Sequence, residues 1–215
     1  MGAVRRPPVE WPQVEPRPDE DELIELARHG DLAAFNALVE HYQSPVYSLC
    51  LRLLGNAQSA EDTTQDAFIS AYRRLETFRG GSFRAWLFRI AANAAYDEMR
   101  WRRSRPAASL DEPLSDGERA FQVPDKAPSP QESAEQGELR AALTAALARL
   151  PDEQRLAIVL CDVQGLDYAE IAAVMRCSLG TVKSRIARGR ARLREILLES
   201  GELLPSRFRH TGESK

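Results

Sequence analysis

Apolar residues recur at helical spacing along most of the chain. From Leu23 the run is Leu23, Leu26 and Ala27, then, after Gly30 and Asp31, Phe35, Leu38, Val39, Tyr42, Val46, Leu49, Leu53 and Leu54. That period predicts helices, with Asp31 suited to an N-cap and Gly55–Asn56 to a stop. Pro45 falls inside the second run and is expected to bend or interrupt it, since proline has no N–H and crowds the preceding turn. A third helix is predicted over residues 59–75, capped by Ser59 and carrying Glu61 and Asp62 in its first turn. Thr64, Ala67, Phe68, Ala71 and Leu75 make its apolar face, and Asp62, Gln65, Asp66, Ile69 and Arg73 lie opposite. Gly80 and Gly81 break the chain, Ser82 caps, and a fourth helix runs from Phe83 to about Arg103. Trp86, Leu87, Ile90, Ala94 and Trp101 fall on one side of it; Arg89, Asn93, Tyr96, Arg100 and Arg103 line the other.

After a stretch without periodicity, Leu139, Leu143, Leu147 and Leu150 form another helical face, and Pro151–Asp152 start a helix through Ile158, Val159 and Leu160. Tyr168, Ile171, Ala172 and Met175 then give a short helix, and Ser178 is placed to cap the next one. On that last helix Val182, Ile186, Gly189, Leu193 and Leu197 fall on one narrow face, with Thr181, Ser184, Arg185, Arg188 and Arg192 opposite. Lys183, Arg190 and Arg194 flank them. Helix, short turn, helix is the helix-turn-helix pattern, whose second helix enters the major groove of DNA. Gly180 in its first turn would let backbone approach a neighbour closely. No strand is predicted anywhere. The expected fold is all-α: two small helical domains joined by a flexible acidic linker, the C-terminal one a helix-turn-helix.

Composition refines this in one respect. The formal net charge of −3 argues against nucleic acid only if it is uniform, and it is not. Residues 82–105 carry six Arg against Asp97 and Glu98, residues 178–194 carry six basic residues and no acid, and residues 106–138 carry eight acids against Arg119 and Lys126. Two basic blocks around an acidic one predict two nucleic-acid-facing surfaces. In the fourth helix, Arg interleaved with Asn and Tyr beside a Gly-hinged loop suits unstacked bases as well as phosphates.

Residues 1–22 are rich in Pro and charge and read as a disordered lead. The Pro-rich acidic stretch 105–137 reads as a linker, so the expected domains are 23–104 and 138–198, with a C-terminal tail at 199–215. Cys50, Cys161 and Cys177 have no paired short spacing, and His29, His41 and His210 are dispersed, so neither a disulfide framework nor a metal site is expected. The amino-terminal stretch has no apolar run of the signal-peptide kind and no segment approaches the length of a membrane span. A cytoplasmic protein without cofactor is the expectation.

Three motifs, AEDTTQDAFISAYRRL (60–75), FRGGSFRAWLFRIAANAAYDEMRWRRSR (78–105) and LPDEQRLAIVLCDVQGLDYAEIAAVMRCSLGTVKSRIARGRARLRE (150–195), together resemble the sigma-70 family of bacterial transcription initiation factors, in its two-domain extracytoplasmic-function group. The resemblance covers about Leu23 to Leu197. It implies that Asp62, Gln65, Asp66, Phe68, Ile69 and Arg73 dock on core RNA polymerase, whose β-prime clamp helices and β flap are the implied partners. It further implies that Phe78, Arg89, Asn93, Tyr96, Arg100 and Arg103 serve the melted non-template strand of the minus-ten element, and that Thr181, Lys183, Ser184, Arg185, Arg188 and Arg192 contact the minus-thirty-five duplex. An anti-sigma factor and a role in a stress or envelope response are implied too, with no catalytic site. The acidic linker would then suit the positively charged RNA path of the polymerase. Three positions depart from the family pattern: Cys161 replaces a basic residue of some members, Ala187 a bulkier one, and Ser178 a common Pro.

Two other classes compete. A one-component repressor or activator would need a ligand or dimerisation domain where this chain has a second basic surface. A serine recombinase would need an α/β domain with a nucleophilic Ser, which these helical periods do not provide.

Overall fold

The computed structural model describes residues 19–104, 139 and 141–199; within them the regular structure is helical, without strands. The expected disordered lead, linker and C-terminal tail therefore lie largely outside the described residues. Chain contacts divide it into two compact units, residues 1–38 and residues 39–215.

In the first unit, α1 spans Glu20–Arg28, beginning earlier than its apolar period indicates. The acids that resemble a solvated tail are the reason. Asp19 accepts the Glu20 N–H at 2.7 Å, and Glu20, Asp21 and Glu22 sit at the positive end of the helix dipole. Gly30 closes the helix with a φ of 93°. Asp31 then caps α2 as expected, accepting from Ala33 N at 2.8 Å and Ala34 N at 3.2 Å. Ile24, Ala27, Phe35 and Leu38 are buried here.

α2 runs Leu32–Leu54 as one continuous helix through Pro45, so of the expected bend or interruption the interruption does not occur. Val46, Leu49, Cys50 and Leu53, on the turns that follow, are at most 1% exposed. Their burial, at ~1.5–3 kcal/mol per large apolar side chain, outweighs the missing hydrogen bond.

Within residues 39–215, α3 spans Ala57–Arg74 and is capped by Asn56 rather than Ser59; Asn56 Oδ1 accepts from Ser59 N at 2.9 Å. A 3-10 turn, Leu75–Thr77, leads to Phe78 and the Gly80–Gly81 loop, whose φ angles of 88° and 86° favour glycine. Ser82 Oγ accepts from Ala85 N at 3.1 Å and starts α4, Phe83–Ser104. Ten of its residues, including Phe83, Leu87, Phe88 and Ala91, are buried. Trp101, expected on that apolar side, is instead 50% exposed near the helix end.

Residues 141–148 form α5, and α6 spans Asp152–Ile158. The helix then widens into a π segment, Val159–Val163, closed by Gln164 N to Val159 O at 2.9 Å. α7, Tyr168–Met175, opens on a reciprocal capping box between Asp167 and Glu170 and ends on Arg176 in the left-handed region. α8 spans Leu179–Glu199, with Ser178 Oγ accepting from Thr181 N at 3.2 Å. α3 packs on α4, α6 on α8, and α4 on α7. Among the described residues no helix is long and apolar enough to cross a membrane.

Candidate nucleic-acid interface

The face that seats α8 follows the expected spacing at its start: Val182, Ile186 and Gly189 are buried. Towards the end it shifts to Ile196, leaving Leu193 and Leu197 half-buried. Gly180, expected at a close approach, has only Ser178 Oγ within 4 Å of an added Cβ, at 3.8 Å. The close approach is at Gly189, where a Cβ would lie 2.7 Å from Ile158 Cδ1 and 3.3 Å from Gln154 Cβ. This glycine lets α8 lie against α6.

Above that seat the cations divide into two groups. Arg190 is turned back to Asp162, Nε to Oδ2 at 3.0 Å and Nη2 to Oδ1 at 2.5 Å. The hydrogen bond holds the Asp162 carboxyl below its usual range and raises Arg190. Arg185 is bound by Glu153 of α6 and has a side chain only 17% exposed. Arg192 pairs with Glu195 at 3.1 Å within the helix. Arg188 lies along the surface, donating Nη2 to Ser184 Oγ at 2.9 Å, while Ser184 Oγ itself donates to Thr181 O. Lys183 and Arg188 are exposed. Thr181, Lys183, Ser184 and Arg188 thus occupy one outward strip on the amino-terminal half of α8. Arg185 and Arg190 brace α8 against the segment before it. Cys161 Sγ is 3.7 Å from Arg190 Nη2, so this position is part of that brace.

On α4, Asn93, Tyr96, Arg100 and Arg103 line one cleft of about 570 Å³, joined there by Arg74 and by Asp152 and Glu153 of α6. Tyr96 donates its hydroxyl to Asp152 O at 3.3 Å, and Arg103 Nη2 meets Asp152 Oδ1 and Oδ2 at 3.1 and 2.8 Å. Burial, and secondarily Asp152 and Glu153, push the Tyr96 hydroxyl well above its ordinary pKa. Arg89 is half-buried outside this cleft. Phe78 is 6% exposed, in edge and tilted contact with Phe83 and Trp86. It is a core residue under the glycine loop rather than an open contact, because three aromatic rings bury more apolar surface together than any could against solvent.

On α3, Asp62, Gln65, Asp66, Ile69 and Arg73 are all exposed, Ile69 by 49%. Phe68, given to the docking surface by the resemblance but to the apolar face by its spacing, is buried at 8%, as the spacing indicates. Tyr72, 39% exposed, adds a second large apolar side chain beside Ile69 on this surface.

Long-range side-chain contacts with no signal in the sequence pattern hold the arrangement together. Arg155, buried, donates Nη1 to Leu53 O at 2.5 Å and Nη2 to Ala148 O at 2.9 Å and Leu150 O at 3.2 Å. Gln164 donates Nε2 to Pro45 O at 3.2 Å, and its backbone carbonyl accepts from Arg84. Ser82 Oγ donates to Glu170 at 2.6 Å. These partners are 80 or more residues apart except where Arg155 bonds its own loop, so no local period could reveal them.

Residues 38–105 match the family Sigma-70 region 2, and residues 140–193 match Sigma-70, region 4. The chain is 42% identical over 171 residues to the ECF RNA polymerase sigma factor SigE of Mycolicibacterium smegmatis, covering 78% of this chain and 64% of that protein's length. It is 38% identical to the RNA polymerase sigma-H factor of Pseudomonas aeruginosa, over 83% of this chain and 93% of that protein. The sigma factor RpoE of Bartonella quintana, solved in complex with the anti-sigma factor NepR, superposes with a TM-score of 0.59 at 26% identity, covering 77% of this chain and 98% of the other. With the α4 cleft, the α8 strip and both family regions in order along one sequence, the chain belongs to the sigma-70 family, in its extracytoplasmic-function branch.

Proposed function

We propose that this chain is a promoter-specificity subunit of RNA polymerase, with no catalytic site of its own. It binds core polymerase through the α3 stripe of Asp62, Gln65, Asp66, Ile69 and Arg73, on the β-prime clamp helices, while the C-terminal domain meets the β flap. The α4 residues Asn93, Tyr96, Arg100 and Arg103 take the melted non-template strand of the minus-ten element. The α8 strip reads the minus-thirty-five duplex, with Lys183 and Arg188 as its open cations. Phe78 and Phe68 serve from beneath, as packing for the glycine loop and for the stripe. The domain limits 23–104 and 138–198 go with this assignment.

The observation that carries the reading is chemical. One helix presents an Arg, Asn and Tyr cleft suited to unstacked bases, and another presents short polar groups with long cations suited to a major groove. No single duplex-binding surface needs both. The complex of the Bartonella quintana relative with NepR supports control by an anti-sigma factor, and a cytoplasmic stress or envelope response is the corresponding setting. Transcription in vitro with purified core polymerase on a promoter library tests this. Initiation at a defined set of start sites is expected; absence of both core binding and directed initiation overturns it.

A further inference from the structure

Residues 178–194 hold six basic residues and no acid, so the acids that meet these cations come from elsewhere in the chain. Three of the six, Lys183, Arg190 and Arg194, fall within ~40° of one another around α8. All three are exposed, and they form a basic ridge beside the outward strip. A duplex held on that strip would bring its phosphates to the ridge, and phosphates attract cations whatever the base sequence. The middle cation of the ridge is nevertheless taken. Both carboxylate oxygens of Asp162 accept from Arg190, from Nε to Oδ2 at 3.0 Å and from Nη2 to Oδ1. The hydrogen bond holds the Asp162 carboxyl below its usual range, so the acid stays charged.

The other long-range pair on α8 is of a different kind. Arg185 is bound by Glu153, but its side chain is only 17% exposed, so burial would withhold it from DNA even without its acid. The Arg190 side chain is 53% exposed. There it is the carboxylate, rather than burial, that occupies the guanidinium. Exchanging Asp162 for a phosphate gains little, because it leaves an unpaired carboxylate beside the same DNA backbone, one repulsion for one attraction. The pair adds no net charge to the ridge in either arrangement.

We propose that Asp162 is a specificity-determining residue: it withholds Arg190 from the DNA backbone and so weakens sequence-independent binding relative to binding at the minus-thirty-five element. The proposal rests on the reading of α8 as the duplex surface. Sequence-independent binding draws almost wholly on phosphate contacts, and no base contact fixes its pose, so it uses whichever cations are free. Binding at the chosen sequence is held in one pose by contacts to base edges and gains less from one more cation. Neutralising Arg190 therefore disfavours the wrong duplexes more than the right one.

The test titrates the full chain, over a salt series, against two duplexes of equal length. One carries a minus-thirty-five element recovered from the promoter library, the other its scrambled sequence. Asp162→Asn, which keeps the side chain's size and removes its charge, is expected to tighten scrambled-duplex binding about tenfold at low salt and to steepen its salt slope by about one. The minus-thirty-five duplex is expected to gain no more than about threefold, so discrimination falls. Asp162→Glu retains the wild-type ratio. Arg190→Ala breaks the same ion pair from the other side, yet leaves scrambled-duplex binding near wild type, and adding it to Asp162→Asn removes the gain. A pair that only braced α8 would make the two single variants act alike. Scrambled-duplex binding that is unchanged or weaker in Asp162→Asn overturns the proposal, as does an equal gain on both duplexes or a gain that survives Arg190→Ala. A wild-type chain that directs no initiation at any promoter would instead overturn the functional reading; the scrambled-duplex contrast between Asp162→Asn and Arg190→Ala needs no promoter and is read separately.

Discussion

α4 and α8 are nearly equal in length, 22 and 21 residues, and both are rich in arginine, yet they are built in opposite ways. α4 buries ten residues and keeps a polar stripe on what remains; α8 buries four, and the rest of it is half-buried or exposed. A helix wrapped by neighbours holds its polar groups rigidly and can shape a cleft. One seated on a narrow face projects its side chains broadly, as major-groove reading requires. Position in the fold, rather than charge, therefore separates the two basic helices.

The largest effect should come from the core of α4. Phe88 is fully buried, and Phe88→Ala is expected to cost about 3–5 kcal/mol by removing its contacts and leaving a cavity; urea unfolding measures it. A loss below about 1 kcal/mol would mean that α4 is not the wrapped helix described. Next comes the seat of α8. Gly189→Val drives new methyls into Ile158 and Gln154, and while Ile158 Cδ1 can swing aside, Gln154 Cβ is fixed to its backbone. About 1–3 kcal/mol of destabilisation is expected, concentrated in hydrogen-exchange protection of α6 and α8 and sparing α3.

Within α8 the comparison sharpens at single cations. Arg188→Ala is expected to weaken binding of a minus-thirty-five duplex about tenfold and to reduce the salt slope by about one. Arg190→Ala, whose guanidinium is held by Asp162, should change it much less. Equal losses from the two would show that the brace opens on DNA. The smallest effect is a contrast between thiols. Burial lifts Cys50 to a pKa of about 11 and raises Cys161 as well, but Cys161 and Cys177 are only half-buried. At pH 8 the Cys50 thiol is almost wholly protonated, so a thiol reagent should label the other two first and reach Cys50 only on unfolding.

Much of the helical pattern was legible in the residues. Asp31, Ser82 and Ser178 cap where their short side chains suggest, and Val182 and Ile186 bury where their spacing places them. The misplacements have a common cause. Pro45 does not interrupt α2, Phe78 is buried, Trp101 is exposed and Gly180 touches little. Each depends on what stands against the residue from elsewhere in the chain.

The sequence by itself determined the helical periods, the caps at Asp31, Ser82 and Ser178 and the two basic stripes, because these follow from interactions within a few residues and from a period of ~3.6. Only the tertiary structure decided which cations stay open. Asp152 reaches Arg103 across 49 residues, Glu153 reaches Arg185 across 32, and Arg155 reaches Leu53 across 102. An arginine reads the same in sequence whether it faces solvent or a carboxylate. Its availability for DNA is set by the acid that folding brings beside it.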